Sequence, residues 1–373
     1  MRSFIFLSLL PSFALAQTCP AGGVWPDPDW DDSQVATVAQ NKAAEIKALE
    51  DAVFTLTGKD SDRDGIRTDG LLIIKDGKLI YEKYARGFTR TNKHLSWSVA
   101  KSYTSAMVGA AVQQGKLRID QSICDFLPNI KKADCKISVK DVLEFGTGWD
   151  WQEEYEHASY QTSSVLAFLF GEGHKDMLKF VTDHPFYATP GTAWRYSTGD
   201  AMVLSAVVKS AVGSNKGWAQ DLLFKPLGMT GAVLEEDLKG TPQGGSSVFA
   251  TPRDFARLGY LYLHNGCWKD QRLLPADWVA SSTTASQVYR SNSPKEEDEP
   301  NGWMWWLNQA IPEKNQPKPW KDAPDDAYEA DGHWGQYIVV VPSANVVIMR
   351  TGDDRNESLD QSTLISLSLK VAE

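Results

Sequence analysis

The sequence predicts an α/β fold of the α+β type, in which an antiparallel β-sheet is flanked by helices and lies beside a mostly helical lobe. Strand patterns occur near both ends of the chain, and helical patterns dominate between them. The chain has 373 residues, 42% of them hydrophobic, which is enough to bury a large core. We expect one domain over residues 17–373, with a sheet region of about 30–97 and 236–373 and a helical lobe of about 98–235.

The first predicted elements are a helix and a β-hairpin. Residues 33–56 carry apolar side chains at helical spacing, which predicts a helix. Residues 71–74 and 79–84 are apolar or β-prone, and the Asp-Gly pair in residues 75–78 is a turn signal between them.

Helices follow, and strands return near the C-terminus. Residues 98–112 are rich in Ala, Met and Val, and residues 119–235 are mostly helical in pattern. Residues 337–341 and 346–350 predict a second hairpin, and residues 357–371 predict a closing helix. The simplest packing joins the two hairpins into one antiparallel sheet.

The N-terminus predicts an export signal over residues 1–16. Arg2 supplies a positive charge, residues 4–10 form a short apolar stretch, and residues 14–16 form a small-x-small cleavage site. The stretch is shorter than the roughly 20 apolar residues that a membrane-spanning helix needs. We therefore expect no membrane span and export to the periplasm or the medium after cleavage near Ala16.

The four cysteines predict two disulfides, because an even count in an exported chain favours pairing. Four cysteines allow three connectivities. A short loop separates Cys124 from Cys135, so we expect these two to pair. Cys19 and Cys267 would then form the second bridge and tie down the new N-terminus.

The composition and the motifs indicate which classes of binding partner to expect. The formal net charge is -10 and no basic stripe is present, which argues against nucleic acid. The histidines and cysteines show no metal-ligand spacing, and no phosphate-binding glycine loop occurs. We expect a small-molecule substrate, no metal and no cofactor; the oligomeric state stays open.

A serine and a lysine are spaced for nucleophilic catalysis. Ser98 and Lys101 form an S-x-x-K sequence, and positions three apart share a face of a helix. A serine hydroxyl needs a neighbouring base or cation to attack a carbonyl at neutral pH. Few other charges occur between residues 96 and 110, and a lone buried lysine is costly unless it has a role or a partner.

Two distant segments could complete such a site. Tyr196 lies in the segment 194–200 and could act as a general base beside Lys101. The backbone N–H groups of Gln336 and Ser98 could form an oxyanion hole, worth about 3–4 kcal/mol per donor.

Together these motifs resemble the serine β-lactamase and penicillin-binding-protein superfamily. The likeness is to its class C β-lactamase-like branch, which includes esterases, D,D-peptidases and 6-aminohexanoate-dimer hydrolases. Residues 96–102 look like the nucleophile helix of the dimer hydrolases. Residues 224–229, 244–257 and 272–275 are similar to further segments of the branch, and the resemblance spans about residues 65–370.

The resemblance implies a β-lactamase/transpeptidase-like fold with the site in a cleft. It implies Ser98 as the nucleophile and Lys101 as its activator. Tyr196 would be the general base for acylation and would help to activate water for deacylation. Lys101 stays a rival for the role of base.

Two departures from the family pattern bear on the substrate. Thr198 stands where the family usually has Asn, and a hydroxyl cannot make the contacts of an amide. His333, Trp334 and Gly335 stand where the family has K-T-G, and a histidine with a pKa near 6.5 is mostly neutral at pH 7. A substrate carboxylate would lose part of its anchor, so we expect weak or no β-lactamase activity.

Aromatic residues adjoin the motifs and predict an aromatic-walled pocket for an apolar or acyl-chain substrate. Tyr155 resembles a tyrosine that faces the pocket in this branch, and some of the tryptophans are expected to be ordinary core residues. The tryptophans concerned are Trp97, Trp149, Trp151, Trp194, Trp303, Trp305, Trp306 and Trp334.

We therefore expect a serine hydrolase that cleaves an ester or amide through a Ser98 acyl-enzyme. Two alternatives stay open: a cell-wall peptidase or carboxypeptidase acting on D-amino-acid peptides, and a non-catalytic penicillin-binding-like sensor that keeps a reactive serine. Fold and motif determine the chemistry better than the substrate.

Overall fold

The computed structural model describes residues 18–156, 158–292, 299–355 and 359–373. The predicted signal peptide, residues 1–16, lies outside the described residues. None of the helices in the described part of the chain is both long enough and apolar enough to cross a membrane.

The strands are short except for those that form the centre of the main sheet. In chain order they are β1 (Thr68–Lys75), β2 (Lys78–Tyr84), β3 (His94–Leu95), β4 (Val233–Leu234), β5 (Val248–Ala250), β6 (Cys267–Trp268), β7 (Gln271–Arg272), β8 (Trp306–Leu307), β9 (Tyr328–Gly332), β10 (Gln336–Val341) and β11 (Val346–Gly352).

The helices fill the middle of the chain and close both ends. In chain order they are α1 (Val35–Asn41), α2 (Ala43–Val53), α3 (Val99–Gln113), α4 (Val139–Leu143), α5 (Ser164–Leu169), α6 (Met177–Thr182), α7 (Thr198–Val212), α8 (Pro252–Leu263), α9 (Trp278–Ser282), α10 (Gln287–Ser291) and α11 (Gln361–Ala372).

A six-stranded antiparallel sheet forms the centre of the fold, in the order β2-β1-β11-β10-β9-β8. The first hairpin is β1–β2, and Asp76 and Gly77 at its turn both have positive φ, at 53° and 81°. An Asp-Gly turn of this kind follows the right-handed twist of the strands. The second hairpin is β10–β11. The two hairpins meet where β1 pairs with β11, so the predicted joining of N-terminal and C-terminal strands is confirmed.

Both faces of the sheet are covered, because alternate residues of each strand point to opposite sides. Leu72 and Ile74 face the core that contains α3 and α8. Leu71 and Ile73 face the core that contains α2 and α11. The first core also includes residues of the helical lobe, so the sheet and the lobe share buried apolar surface.

The N-terminal helix differs from the prediction. The sequence predicts one helix over residues 33–56, whereas the chain forms α1 and α2 with a break at Lys42, whose φ is -119° and ψ is 29°. Helix α2 buries Leu49 and Val53, and α1 has no buried residue. The break lets α2 turn its apolar side onto the sheet while α1 stays at the surface.

Two long buried helices carry the predicted catalytic segments. Helix α3 and helix α7 each have 15 residues and contact one another, and α3 also contacts β9 of the sheet. Ser98 directly precedes α3 without capping it through its side chain, and the Ser197 hydroxyl caps α7 by accepting from the Asp200 N–H. The start of each helix therefore brings its motif to the boundary between the sheet and the helical lobe.

Both predicted disulfides are confirmed: Cys124 pairs with Cys135, and Cys19 pairs with Cys267. Disulfides persist in oxidising compartments, so the two bridges indicate an oxidising environment for the folded chain. The second bridge holds an N-terminal arm against α8, where the Arg257 guanidinium donates a hydrogen bond to the Pro28 carbonyl at 2.7 Å.

A buried arginine holds three segments of the sheet together. Arg350 on β11 is fully buried, and its guanidinium lies 2.7 Å from Thr68 Oγ1, 2.9 Å from the Gly335 carbonyl and 2.8 Å from Asp354 Oδ1. These contacts join the start of β1, the turn between β9 and β10, and the chain after β11. A buried ion pair of this kind is strongly destabilised when one partner is removed.

We predict that Arg350→Met lowers the free energy of unfolding by about 3–5 kcal/mol, because Asp354 would be left buried without its cation. Urea unfolding followed by tryptophan fluorescence measures the change. Arg118→Met is the control, because Arg118 pairs with Asp120 at the exposed surface, where an ion pair contributes about 0–1 kcal/mol. Equal losses for the two variants would contradict the role given to Arg350.

Candidate active site

Ser98 lies at a sharp turn from β3 into α3. The preceding residue, Trp97, has a φ of 46°, in a left-handed region that bulky side chains rarely adopt. The Ser96 N–H donates to the Val248 carbonyl at 2.8 Å, and the Ser96 hydroxyl accepts from the Val248 N–H at 3.1 Å. These bonds anchor the turn to β5 and present Ser98 at a helix N-terminus, where backbone N–H groups favour negative charge.

Three oxygens surround the amine of Lys101. Its Nζ lies 2.7 Å from Ser98 Oγ, 2.8 Å from Thr198 Oγ1 and 2.9 Å from the Gly245 carbonyl oxygen. A Cβ at position 245 would come within 2.5 Å of the Thr198 carbonyl oxygen, so only glycine allows this approach. The lysine predicted as the activator is therefore bonded to the predicted nucleophile.

A carboxylate sets the direction of one of these hydrogen bonds. The Thr198 hydroxyl donates to Glu153 Oε1 at 2.5 Å, and the Thr198 N–H donates to Glu153 Oε2 at 2.9 Å. The Trp151 indole also donates to Glu153 Oε2. Because its proton goes to Glu153, the Thr198 hydroxyl accepts from Lys101. The Gly245 carbonyl can only accept as well, which leaves the Ser98 side of the amine free to donate or to accept.

Burial lowers the pKa of Lys101 to about 8, because the charged amine loses its water. The carboxylates of Glu153, Asp331 and Asp200 act in the opposite direction and favour the charged form. An amine with a pKa near the working pH is well matched to proton transfer.

The phenol of Tyr196 adjoins the same group. The Lys101 Nζ lies 4.7 Å from the centre of the Tyr196 ring, and the Ser98 hydroxyl lowers the pKa of the phenol as a hydrogen-bonding neighbour. Burial has the larger effect and raises the pKa of Tyr196 well above its ordinary value. Ser98, Lys101 and Tyr196 therefore come together, and the phenol stays protonated near neutral pH.

A pocket of about 480 Å³ opens in front of Ser98. Its aromatic lining consists of Trp151, Tyr155, Trp194, Tyr196, Trp306, Trp334 and Tyr337. Three of the tryptophans named from the sequence, Trp149, Trp303 and Trp305, are buried and do not line it. The predicted aromatic wall is thus formed by some of the motif tryptophans, and others belong to the core.

The predicted substrate-binding segment forms one rim of this pocket. The His333 ring stacks on Tyr155 with 4.5 Å between ring centres and also packs against Trp97 and Trp334. Its Nε2 lies 3.3 Å from Glu156 Oε1. Burial lowers the pKa of His333, so the ring is neutral at pH 7.

Gln336 lies away from the pocket. Its side chain is buried, and its Nε2 donates to the Gly352 carbonyl at 2.7 Å. Its backbone pairs with Gly332 at the end of the β9–β10 hairpin, whereas Gly332, His333 and Gly335 line the pocket. The oxyanion role given to the Gln336 N–H stays a prediction.

Three residues of the site were not found from the sequence. Glu153 and Asp331 have no motif of their own, and Gly245 lies in the segment 244–257 that resembles the family branch without having been given a role. Asp331 lines the pocket two residues before His333, and Glu153 lies two residues before Tyr155. Their proximity to the predicted residues was the only signal available. In the described residues, no group of three or more potential metal ligands occurs.

Comparison with known proteins shows the family and the fold of the chain. The sequence matches the Beta-lactamase family over residues 46–361. It is 25% identical over 223 residues to the 6-aminohexanoate-dimer hydrolase of Paenarthrobacter ureafaciens, a match covering 57% of this chain and 56% of that protein. The chain thus spans little more than half the length of this relative.

Solved structures share the fold. One is named "Putative 6-aminohexanoate-dimer hydrolase from Bacillus anthracis"; it has a TM-score of 0.68 and 17% identity, and the match covers 95% of this chain and 90% of that one. Another is a class C beta-lactamase with a TM-score of 0.59 and 13% identity, covering 90% of this chain and 96% of that one. The predicted fold class is confirmed, and the chain belongs to the beta-lactamase family of hydrolases.

Proposed function

We propose that the chain cleaves an ester or an amide through an acyl-enzyme on Ser98. The observation that carries this proposal is the contact of 2.7 Å between the Lys101 amine and the Ser98 hydroxyl. Two of the amine's hydrogen bonds are fixed as donors, so its uncharged form has a lone pair directed at the serine proton. Lys101 is therefore the better candidate for the base than Tyr196.

Acylation follows from this arrangement. Lys101 takes the Ser98 proton as the oxygen attacks the carbonyl carbon, and the backbone N–H of Ser98 stabilises the oxyanion. The proton then returns to the leaving group through the Tyr196 hydroxyl, which is protonated and adjoins both residues. In deacylation a water molecule takes the place of Ser98 as the attacking group, and Ser98 becomes the leaving group. The same groups transfer the proton, and the acid is released.

We also propose that the enzyme is exported. The two disulfides need an oxidising compartment, which supports the signal predicted from the first 16 residues. The neutral His333 supports the expectation that β-lactamase activity is weak. A β-lactam carboxylate would meet an uncharged ring at this rim where the family has a lysine.

We predict that hydrolysis of p-nitrophenyl acetate is lost in Ser98→Ala and falls by about 10³-fold in Lys101→Met, because the nucleophile and its base are removed. Steady release of p-nitrophenolate measures the rates. A burst equal to the enzyme concentration without turnover would support the sensor instead. A panel with D-alanyl peptides and a linear amide oligomer tests the peptidase alternative.

The pH dependence identifies the base. Below pH of about 8, Lys101 holds a proton and cannot accept that of Ser98, so kcat/KM should rise with pH and level off above this value. Tyr196→Phe should lower the rate by about 10²-fold and keep this rise in place. Loss of the rise in Tyr196→Phe would assign the base to the tyrosine.

We predict that nitrocefin is turned over at about 1% or less of the rate of p-nitrophenyl acetate, because a charge-assisted contact to its carboxylate is missing. Absorbance assays at equal enzyme concentration compare the two. Similar rates for both substrates would show that the carboxylate is held by another group.

A further inference from the structure

Three carboxyl groups act on one another electrostatically, and one of them, Asp331, also acts on Lys101. Glu329 and Asp331 occupy alternate positions of β9 and so share a face of the sheet, and the charge of Glu299 acts on Glu329. Glu329 is fully buried, and neither of its carboxylate oxygens has a hydrogen-bond partner. Within the described chain, Lys101 is the opposite charge that acts on Asp331.

Like charges without a counter-ion are held in their neutral form. Burial raises the pKa of Glu329 well above its ordinary value, that of Glu299 to about 7 and that of Asp331 to about 6. Asp331, which lines the pocket, therefore has the lowest pKa of the three groups and ionises before Glu299 and Glu329 as the pH rises.

The charge of Lys101 attracts Asp331, but the amine makes its hydrogen bonds to three other oxygens and none to Asp331. Arg195 also lines the pocket, and its guanidinium bonds to Asp150 at 2.6 Å and stacks over the Tyr187 ring. A substrate cation would thus meet an anion that the described protein leaves without a hydrogen bond or an ion pair.

The walls of the pocket favour the same kind of ligand. Trp306, Tyr155 and Trp334 line the pocket together with Asp331. Aromatic faces attract an ammonium group through the negative charge of the ring face, most strongly where water is excluded.

We propose that the substrate carries a positively charged ammonium group and that the Asp331 carboxylate binds it. This inference rests on the proposed function, since it names the substrate class of the Ser98 pocket. Asp331 is then the residue that determines specificity for charge, and a carboxylate-bearing substrate is rejected by the same group.

The test uses three p-nitrophenyl esters of similar shape: trimethylammoniobutanoate, its uncharged tert-butyl isostere, and the monoester of glutarate. We expect kcat/KM to be at least about tenfold higher for the cation than for the isostere, and lower again for the anion. Ser98→Ala supplies the background rate for each ester.

Asp331→Asn should reduce the ratio of the cationic to the uncharged ester at least about tenfold, whatever happens to the absolute rates. Asp200→Asn is the matched control, because Asp200 is also buried and its charge also acts on Lys101, but it does not line the pocket. In Asp200→Asn the ratio of the cationic to the uncharged ester should equal that of the wild type, even if the rates for all three esters change.

The outcomes separate the two proposals. Hydrolysis that persists in Ser98→Ala would refute the proposed function. Ser98-dependent hydrolysis with no preference for the cation, or a preference that Asp331→Asn leaves intact, would refute this inference alone. Should Asp331→Asn fail to fold, competition supplies a second measurement on the wild type. Choline should inhibit hydrolysis of the uncharged ester at least about tenfold more strongly than its uncharged isostere 3,3-dimethylbutan-1-ol, and equal inhibition by the two would overturn the inference.

Discussion

The site depends on one buried amine and on the three oxygens to which it is hydrogen-bonded. Lys101 lies on a helix that is buried on all sides, so its nitrogen can reach neither water nor the surface. Ser98, Thr198 and Gly245 belong to three distant parts of the chain, and each supplies one oxygen. A buried lysine is tolerated only when it has such hydrogen-bond partners. The fold must therefore bring the three chain segments together before the amine has its hydrogen bonds. The same burial lowers the pKa of the amine to about 8.

Much of the fold follows from local patterns. The Asp76–Gly77 turn, the alternation in β1 and the apolar strands β10 and β11 predict two hairpins without reference to the rest of the chain. The break at Lys42 does not follow, because it arises from how α2 packs on the sheet and not from a helix-breaking residue. Propensity describes a segment, whereas the direction of a helix is decided by its tertiary contacts.

The site was predictable where function restricts the residue type. The meeting of Ser98, Lys101 and Tyr196 was predicted on the ground that few side chains can attack, activate or transfer a proton, and the structure brings the three together. Glu153 and Asp331 could not be predicted, because a carboxylate in a sequence does not show what it will face. For Gln336 the prediction concerned the backbone N–H group and stays a prediction, whereas the hydrogen bond from its side chain to the Gly352 carbonyl on β11 was not predicted. The charge of the pocket depends on which side chains the folded chain brings together, so the sequence alone does not show it.

The nested arrangement of the two disulfides has a consequence for biogenesis. Cys19 is the first cysteine to emerge and Cys267 the last, 248 residues later, while the inner pair is separated by only 11. If the cysteines were oxidised in the order in which they emerge, Cys19 would pair with Cys124. The other two, Cys135 and Cys267, would then be left to form a second non-native disulfide. The export that we propose would therefore require the chain either to delay its first crosslink or to depend on a thiol–disulfide isomerase that exchanges it. Correct pairing would then depend on the redox machinery of the receiving compartment.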